Sequence, residues 1–205
     1  NTSEALVPIK LRDALTKMQE SGLQVSNINT AYKEILTLNQ ECKSGKEVIT
    51  KFCQNNNQSH LAEHGIKEYY QNIDVSDIKI SLIPNAQQML ETLSKEHTLA
   101  IVTFGVEEQQ LQKIKSAELD TNLFSSVSVT LWQNKDVHYQ KLMAEHNTTP
   151  DQTIVIGDSL SRDILPAKKL GITTIHFRNA RAKNIQYTSE TQPSFSIKSL
   201  NELSD

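Results

Sequence analysis

A chain of 205 residues with 37% hydrophobic and 22% charged residues can bury a full core, as one large domain or one domain with a small companion. Its formal net charge of −3 gives no basic footprint for nucleic acid, and no apolar run approaches the length that spans a bilayer. No secretory signal stands at the front, and Cys42 and Cys53 form no metal-type spacing, so a cytoplasmic protein with free thiols is expected.

The chain opens at Asn1-Thr2-Ser3 without an initiator methionine, and residues 4 to about 80 read as helix and nothing else. Leu11, Leu15 and Met18 recur at helical spacing, and Ser21-Gly22 ends that element. Tyr32, Ile35, Leu36 and Leu38 form a second apolar stripe, closed by Ser44-Gly45. Val48, Ile49, Phe52 and Cys53 mark a third helix that Asn55-Asn56-Asn57 stops, and Leu61, Ile66, Tyr69 and Tyr70 mark a fourth. Several short helices with no strand among them suit a lid or cap, so residues 1–80 are expected to form a helical cap domain. Within it, His60-Leu61-Ala62-Glu63-His64 matches a His-x-x-Glu-His metalloprotease pattern. With three fixed positions and no third ligand evident, the polar face of an amphipathic helix explains it better.

From Ile83-Pro84 onward helix and strand alternate. Residues 87–93 read as helix, 98–103 as an apolar strand, 107–117 as helix and 127–130 as strand. A helix over 139–146 leads to a β-branched strand over 153–156, and residues 172–177 form the next strand. Alternation of this kind predicts parallel strands joined by right-handed crossovers, a Rossmann-like three-layer α/β core over 81–205.

In such a sheet, ligands sit beyond the carboxyl ends of the strands. There the chain runs Gly157-Asp158-Ser159-Leu160-Ser161-Arg162-Asp163. Asp158 and Asp163 at one mouth are costly to keep ionised together unless a cation shares the site. Thr103 ends its own strand before Phe104-Gly105 and a helix start, which offers a hydroxyl and free amides to a phosphate. Lys135, in the loop after residues 127–130, adds a cation. A hydroxyl, an ammonium and two acids at consecutive turns suit phosphoryl transfer.

The segments Ile101-Val102-Thr103-Phe104-Gly105, Lys135-Asp136 with Tyr139, and Gly157-Asp158-Ser159 through Asp163 resemble three motifs of the haloacid dehalogenase-like hydrolase superfamily. The resemblance covers residues 81–205, including Pro193 to Ile197 with Leu200 and Leu203, and the preceding helices resemble its inserted cap. It implies that Thr103, with Phe104 and Gly105, holds the phosphoryl group and that Lys135 steadies its charge. It also implies that Asp158 ligates Mg²⁺, and that Asp163 supports the metal or orients Lys135. Mg²⁺ suits hard carboxylate oxygens.

One motif of the family is missing. Its nucleophile is an aspartate in Asp-x-Asp-x-Thr at the end of the first core strand, and nothing in these residues matches it. Residues 1–6 resemble the stretch just after that motif, so the strand and nucleophile are expected upstream of Asn1, and the chain alone is expected to be inactive. The leading reading is a Mg²⁺-dependent phosphatase of a small phosphorylated metabolite, acting through an aspartyl-phosphate. A metal-free haloacid dehalogenase and a non-catalytic phosphate-binding module are the alternatives. Asp158 speaks against the first, and the missing motif keeps the second open. Substrate identity and oligomeric state are not legible.

Overall fold

The computed structural model describes residues 2–42, 44–71, 73–75, 78–131, 135–178 and 186–203; Asn1 lies outside them. The chain divides into two compact units, Asn1–Ile80 and Ser81–Asp205.

The first unit packs α1 (Thr2–Glu20), α2 (Ile28–Glu41), α3 (Gly45–Asn55) and α4 (Ala62–Tyr69) around one apolar cluster. Leu11, Met18, Ile35, Val48, Ile49 and Phe52 are fully buried there, the residues whose helical spacing marked them. The carboxamide oxygen of Asn27 accepts from the amides of Asn29 and Thr30, which starts α2. Ser44 accepts from the Glu47 amide and starts α3. Ser44-Gly45 therefore opens a helix rather than closing the one before. A Cβ on Gly45 would collide with the Tyr69 ring, so a glycine is needed for space. At the far end of α4, Lys10 Nζ donates to the carbonyls of Tyr69 (3.3 Å) and Gln71 (3.0 Å). A cation there suits the carbonyl end of a helix, and burial lowers the lysine's pKa. Helix ends at Tyr69. The described residues of 71–80 are not helical, so the expectation that residues 4 to about 80 hold helix and nothing else is corrected at its end.

The second unit alternates as its sequence pattern requires. It comprises α5 (Ala86–Leu93), β1 (Leu99–Phe104), α6 (Glu107–Ser116), β2 (Phe124–Thr130), α7 (Lys135–Glu145) and β3 (Ile154–Gly157). A π-helical turn (Leu160–Ile164) runs into α8 (Leu165–Lys169), followed by β4 (Thr173–Phe177) and β5 (Phe195–Ile197). Gly171, at φ +75°, ends α8. Every strand pairing is parallel, so this is an α/β fold of parallel strands and helices.

The strands form a pair, β1-β2, and a triplet, β3-β4-β5. Among the described residues, β1 and β3 each pair on one side only. Between them lies a cleft of about 770 Å³, lined by β1, β3 and α7. Helix α7 ties the two sheets together: Tyr139 packs with Val155 and Ala167, and Val102 of β1 packs against that cluster. On β3, Ile154 and Ile156 are 58% and 43% exposed, which is unusual for a β-branched strand in a parallel sheet, normally covered on both faces.

Candidate active site

The cleft's mouth gathers residues from the end of β1, the start of α7 and the turn after β3. Lys135 is the first residue of α7 and is buried, not a loop residue as its sequence suggested. A cation at a helix N-terminus opposes the macrodipole. It is held there by two acceptors: Nζ donates to Asp163 Oδ1 at 2.6 Å and to the Val102 carbonyl at 2.8 Å.

Asp163 is equally buried. Its Oδ1 takes the lysine, and its Oδ2 accepts from the Ser159 amide at 2.9 Å. Both oxygens thus accept from protein donors, one from Lys135 and one from the Ser159 amide. The π-helical turn makes this possible. The amides of Asp163 and Ile164 both donate to the Ser159 carbonyl, at 2.8 and 3.2 Å, and the wide turn swings the carboxyl back over Gly157.

Asp158 stands beyond the end of β3, with its side chain exposed. Protein packed around the turn raises its pKa, the neighbouring Asp163 charge adds to that, and Arg162 opposes it. Because the carboxyl is open to water, much of this push is screened. Tyr139, beneath the pair, also has its pKa raised, first by burial and then by Asp163.

Thr103 lies in β1, one residue along from the carbonyl that Lys135 holds. Its hydroxyl donates to Gln110 Oε1 at 3.1 Å. Gly105, at φ +145°, turns the chain into α6, but its amide donates to the Thr130 carbonyl at 3.0 Å. Gly105 thus makes the turn, with its own amide engaged by the Thr130 carbonyl. The first turn of α6 has no side-chain cap. The Phe104 ring lies under the Arg162 guanidinium, 5.6 Å from centroid to Cζ. Gln110 was missed in the sequence, since a polar residue on an exposed helix face carries no periodic signal.

The solvent-facing Asp158 carboxylate, with the Asp163 charge beside it, is a hard oxygen donor of the kind Mg²⁺ takes. Asp158 therefore fits Mg²⁺. Among the described residues no group of three or more His, Cys, Asp or Glu side chains could hold a metal, which covers His60 and His64 as well.

The sequence model of the haloacid dehalogenase-like hydrolase family matches residues 31–177. The chain belongs to that family. This hydrolase is 26% identical over 208 residues to the glyceraldehyde 3-phosphate phosphatase of Pyrococcus furiosus, covering 97% of this chain and 84% of that protein. Its fold is similar to that of the HAD-hydrolase YfnB from Bacillus subtilis bound to magnesium, with TM-score 0.59 and 18% identity, covering 95% of this chain and 90% of that one. A 2-haloacid dehalogenase from Pseudomonas syringae is similar in fold as well, with TM-score 0.55 and 17% identity over 98% and 90% of the two chains. Among the described residues, no helix of the hydrolase is long and apolar enough to cross a membrane.

Proposed function

We propose that this hydrolase is a Mg²⁺-dependent phosphatase of a small phosphorylated metabolite, and that its nucleophile is an aspartate carried on a strand preceding Asn1. The observation that carries the reading is the convergence of Thr103, the Lys135–Asp163 pair and Asp158 at one cleft mouth, flanked by two parallel edges unpaired among the described residues. A strand seated between β1 and β3 would pair on both sides, cover Ile154 and Ile156, and end its carboxylate beside Lys135. The likeness to a glyceraldehyde 3-phosphate phosphatase supports a phosphorylated substrate.

In this reading the aspartate attacks phosphorus and the P–O bond to the leaving oxygen breaks, that oxygen taking a proton from solvent to depart as the alcohol. Water then cleaves the acyl phosphate and releases inorganic phosphate. Thr103 rotates its hydroxyl from Gln110 to a phosphoryl oxygen, joined there by amides of α6's first turn. Lys135 offsets the charge that builds on the transferring group. Asp158 would hold Mg²⁺, which when bound neutralises phosphoryl charge, while Asp163 keeps Lys135 in place.

The dehalogenase reading gives no work to Asp158, since halide departs without a metal. The test is hydrolysis of an aryl phosphate by the full-length protein with Mg²⁺ and with a chelator. Turnover that the chelator abolishes is expected. Haloacid turnover indifferent to the chelator would replace the phosphatase with the dehalogenase, and no turnover of either would leave a phosphate-binding module.

A further inference from the structure

His176, on β4, is fully buried and has no part in the chemistry above. Its Nε2 lies 3.2 Å from the Asp158 carbonyl and its Nδ1 lies 2.9 Å from the Tyr187 hydroxyl. A carbonyl only accepts, so Nε2 carries a hydrogen, and in the neutral ring Nδ1 accepts from the Tyr187 O–H. The Tyr187 ring meets the imidazole edge-on, with centroids 5.5 Å apart and planes at 77°, which holds the ring's rotation.

The position of the Asp158 carbonyl gives this contact its consequence. The β3–β4 ladder ends at Gly157 opposite His176, so that carbonyl lies past the last ladder register. The same peptide plane carries the Ser159 N–H that donates to Asp163 Oδ2. Peptide planarity means that a plane held at its C=O is also held at its N–H. The chain of hydrogen bonds then runs from Tyr187 through His176 and the 158–159 peptide to Asp163, Lys135 and the Val102 carbonyl. It joins the ends of β4, β3 and β1, and each bond polarises the next.

We infer that His176 and Tyr187 are positioning residues of the site, which set the 158–159 peptide and through it aim both the Asp158 carboxylate and the Asp163–Lys135 pair. The inference rests on the reading of Asp158, Asp163 and Lys135 as the working groups. A buried histidine that merely fills space would leave the orientation of that peptide indifferent to its N–H.

The experiment uses the full-length protein and three variants. His176→Leu removes the donor, His176→Gln keeps an N–H within reach of the Asp158 carbonyl, and Tyr187→Phe removes the hydroxyl. In the parent, imidazole ¹⁵N shifts at mildly alkaline pH should report the Nε2–H tautomer; an Nδ1–H tautomer overturns the inference. His176→Leu should lower kcat for aryl phosphate by about 10-fold or more, the scale of losing a partner one layer behind a metal site, with KM little changed. The Ser159 amide proton should move upfield in that variant as its bond to Asp163 loosens. His176→Gln should restore both signals. A Leu variant with kcat and the Ser159 amide unchanged, or a Gln variant as damaged as Leu at equal melting temperature, overturns the inference. Should His176→Leu fail to fold, Tyr187→Phe decides, by a mixed tautomer and a smaller Ser159 shift or by neither. If the parent hydrolyses no phosphate, the proposed function fails, and the nitrogen and amide signals still judge the hydrogen-bond chain.

Discussion

A Cβ on Gly157 would fall inside the side chain of Asp163. The glycine is there for space, since the carboxyl must lie across the strand end to reach Lys135. Gly157→Ala should push Asp163 off Lys135 and destabilise the protein by about 1–3 kcal/mol, the usual cost of overpacking. A thermal melt alongside an activity assay checks this. An alanine variant with wild-type melting temperature and turnover would show that the carboxyl has another seat.

The Lys135–Asp163 pair is buried, with each side chain 10% exposed. Removing one partner strands the other's charge, so Lys135→Met or Asp163→Leu should each cost roughly 3–5 kcal/mol. The double variant should recover much of that stability while remaining inactive. Lys135→Ala should lower turnover on the order of 10²–10³-fold, the effect of losing one preorganised charge. Urea unfolding of the single and double variants measures the coupling, and strictly additive losses would mean that the pair does not act as a unit.

Mg²⁺ should raise the melting temperature of the full-length protein through Asp158. Linkage gives about 2.7 kcal/mol at a hundredfold excess of metal over its dissociation constant, several degrees for a chain of this size. Asp158→Asn should abolish the shift while keeping the shape of the turn. Asp163→Asn should only weaken it, because both Asp163 oxygens already have protein donors. An undiminished shift in Asp158→Asn would remove that residue from the metal site.

Cys53 is fully buried beside Met18, Sγ to Sδ 3.4 Å, and burial pushes its thiol up to about 11. It should resist alkylation at neutral pH until the first unit unfolds. The folded state holds this proton more tightly than the unfolded chain does. Its contribution to stability is therefore fully present below the ordinary thiol pKa of about 9 and is lost as pH rises from there to about 11, with a slope of at most about 1.4 kcal/mol per pH unit. Cys53→Ser, compared with the parent across that range, isolates the effect. Rapid labelling of native protein at neutral pH would contradict the buried placement.

Much of this protein was legible in its sequence because much of it is local. The helices of residues 1–80 announced their buried faces by spacing, and Leu11, Met18, Ile35 and Phe52 lie inside as that spacing requires. The strands of 81–205 showed as short β-branched runs, and strand ends located Thr103 and Asp158. The errors were local as well. Gly45 looked like a stop because glycine commonly comes after a helix, whereas here the Tyr69 ring demanded it. Lys135 looked like a loop residue because the apolar spacing of its helix shows only from Tyr139 onward, whereas α7 begins at Lys135 itself.

The sequence by itself determined the order of elements, the parallel α/β character and the identity of the polar groups at each strand end. Short-range periodicity and turn chemistry carry that information. Only the tertiary structure decided that Lys135 meets Asp163, 28 residues away, that the cleft between β1 and β3 lies open, and that His176 reaches the Asp158 carbonyl. The physical reason is that a hydrogen bond between distant residues depends on where two backbones cross, and a side chain that makes one leaves no pattern among its neighbours in the chain.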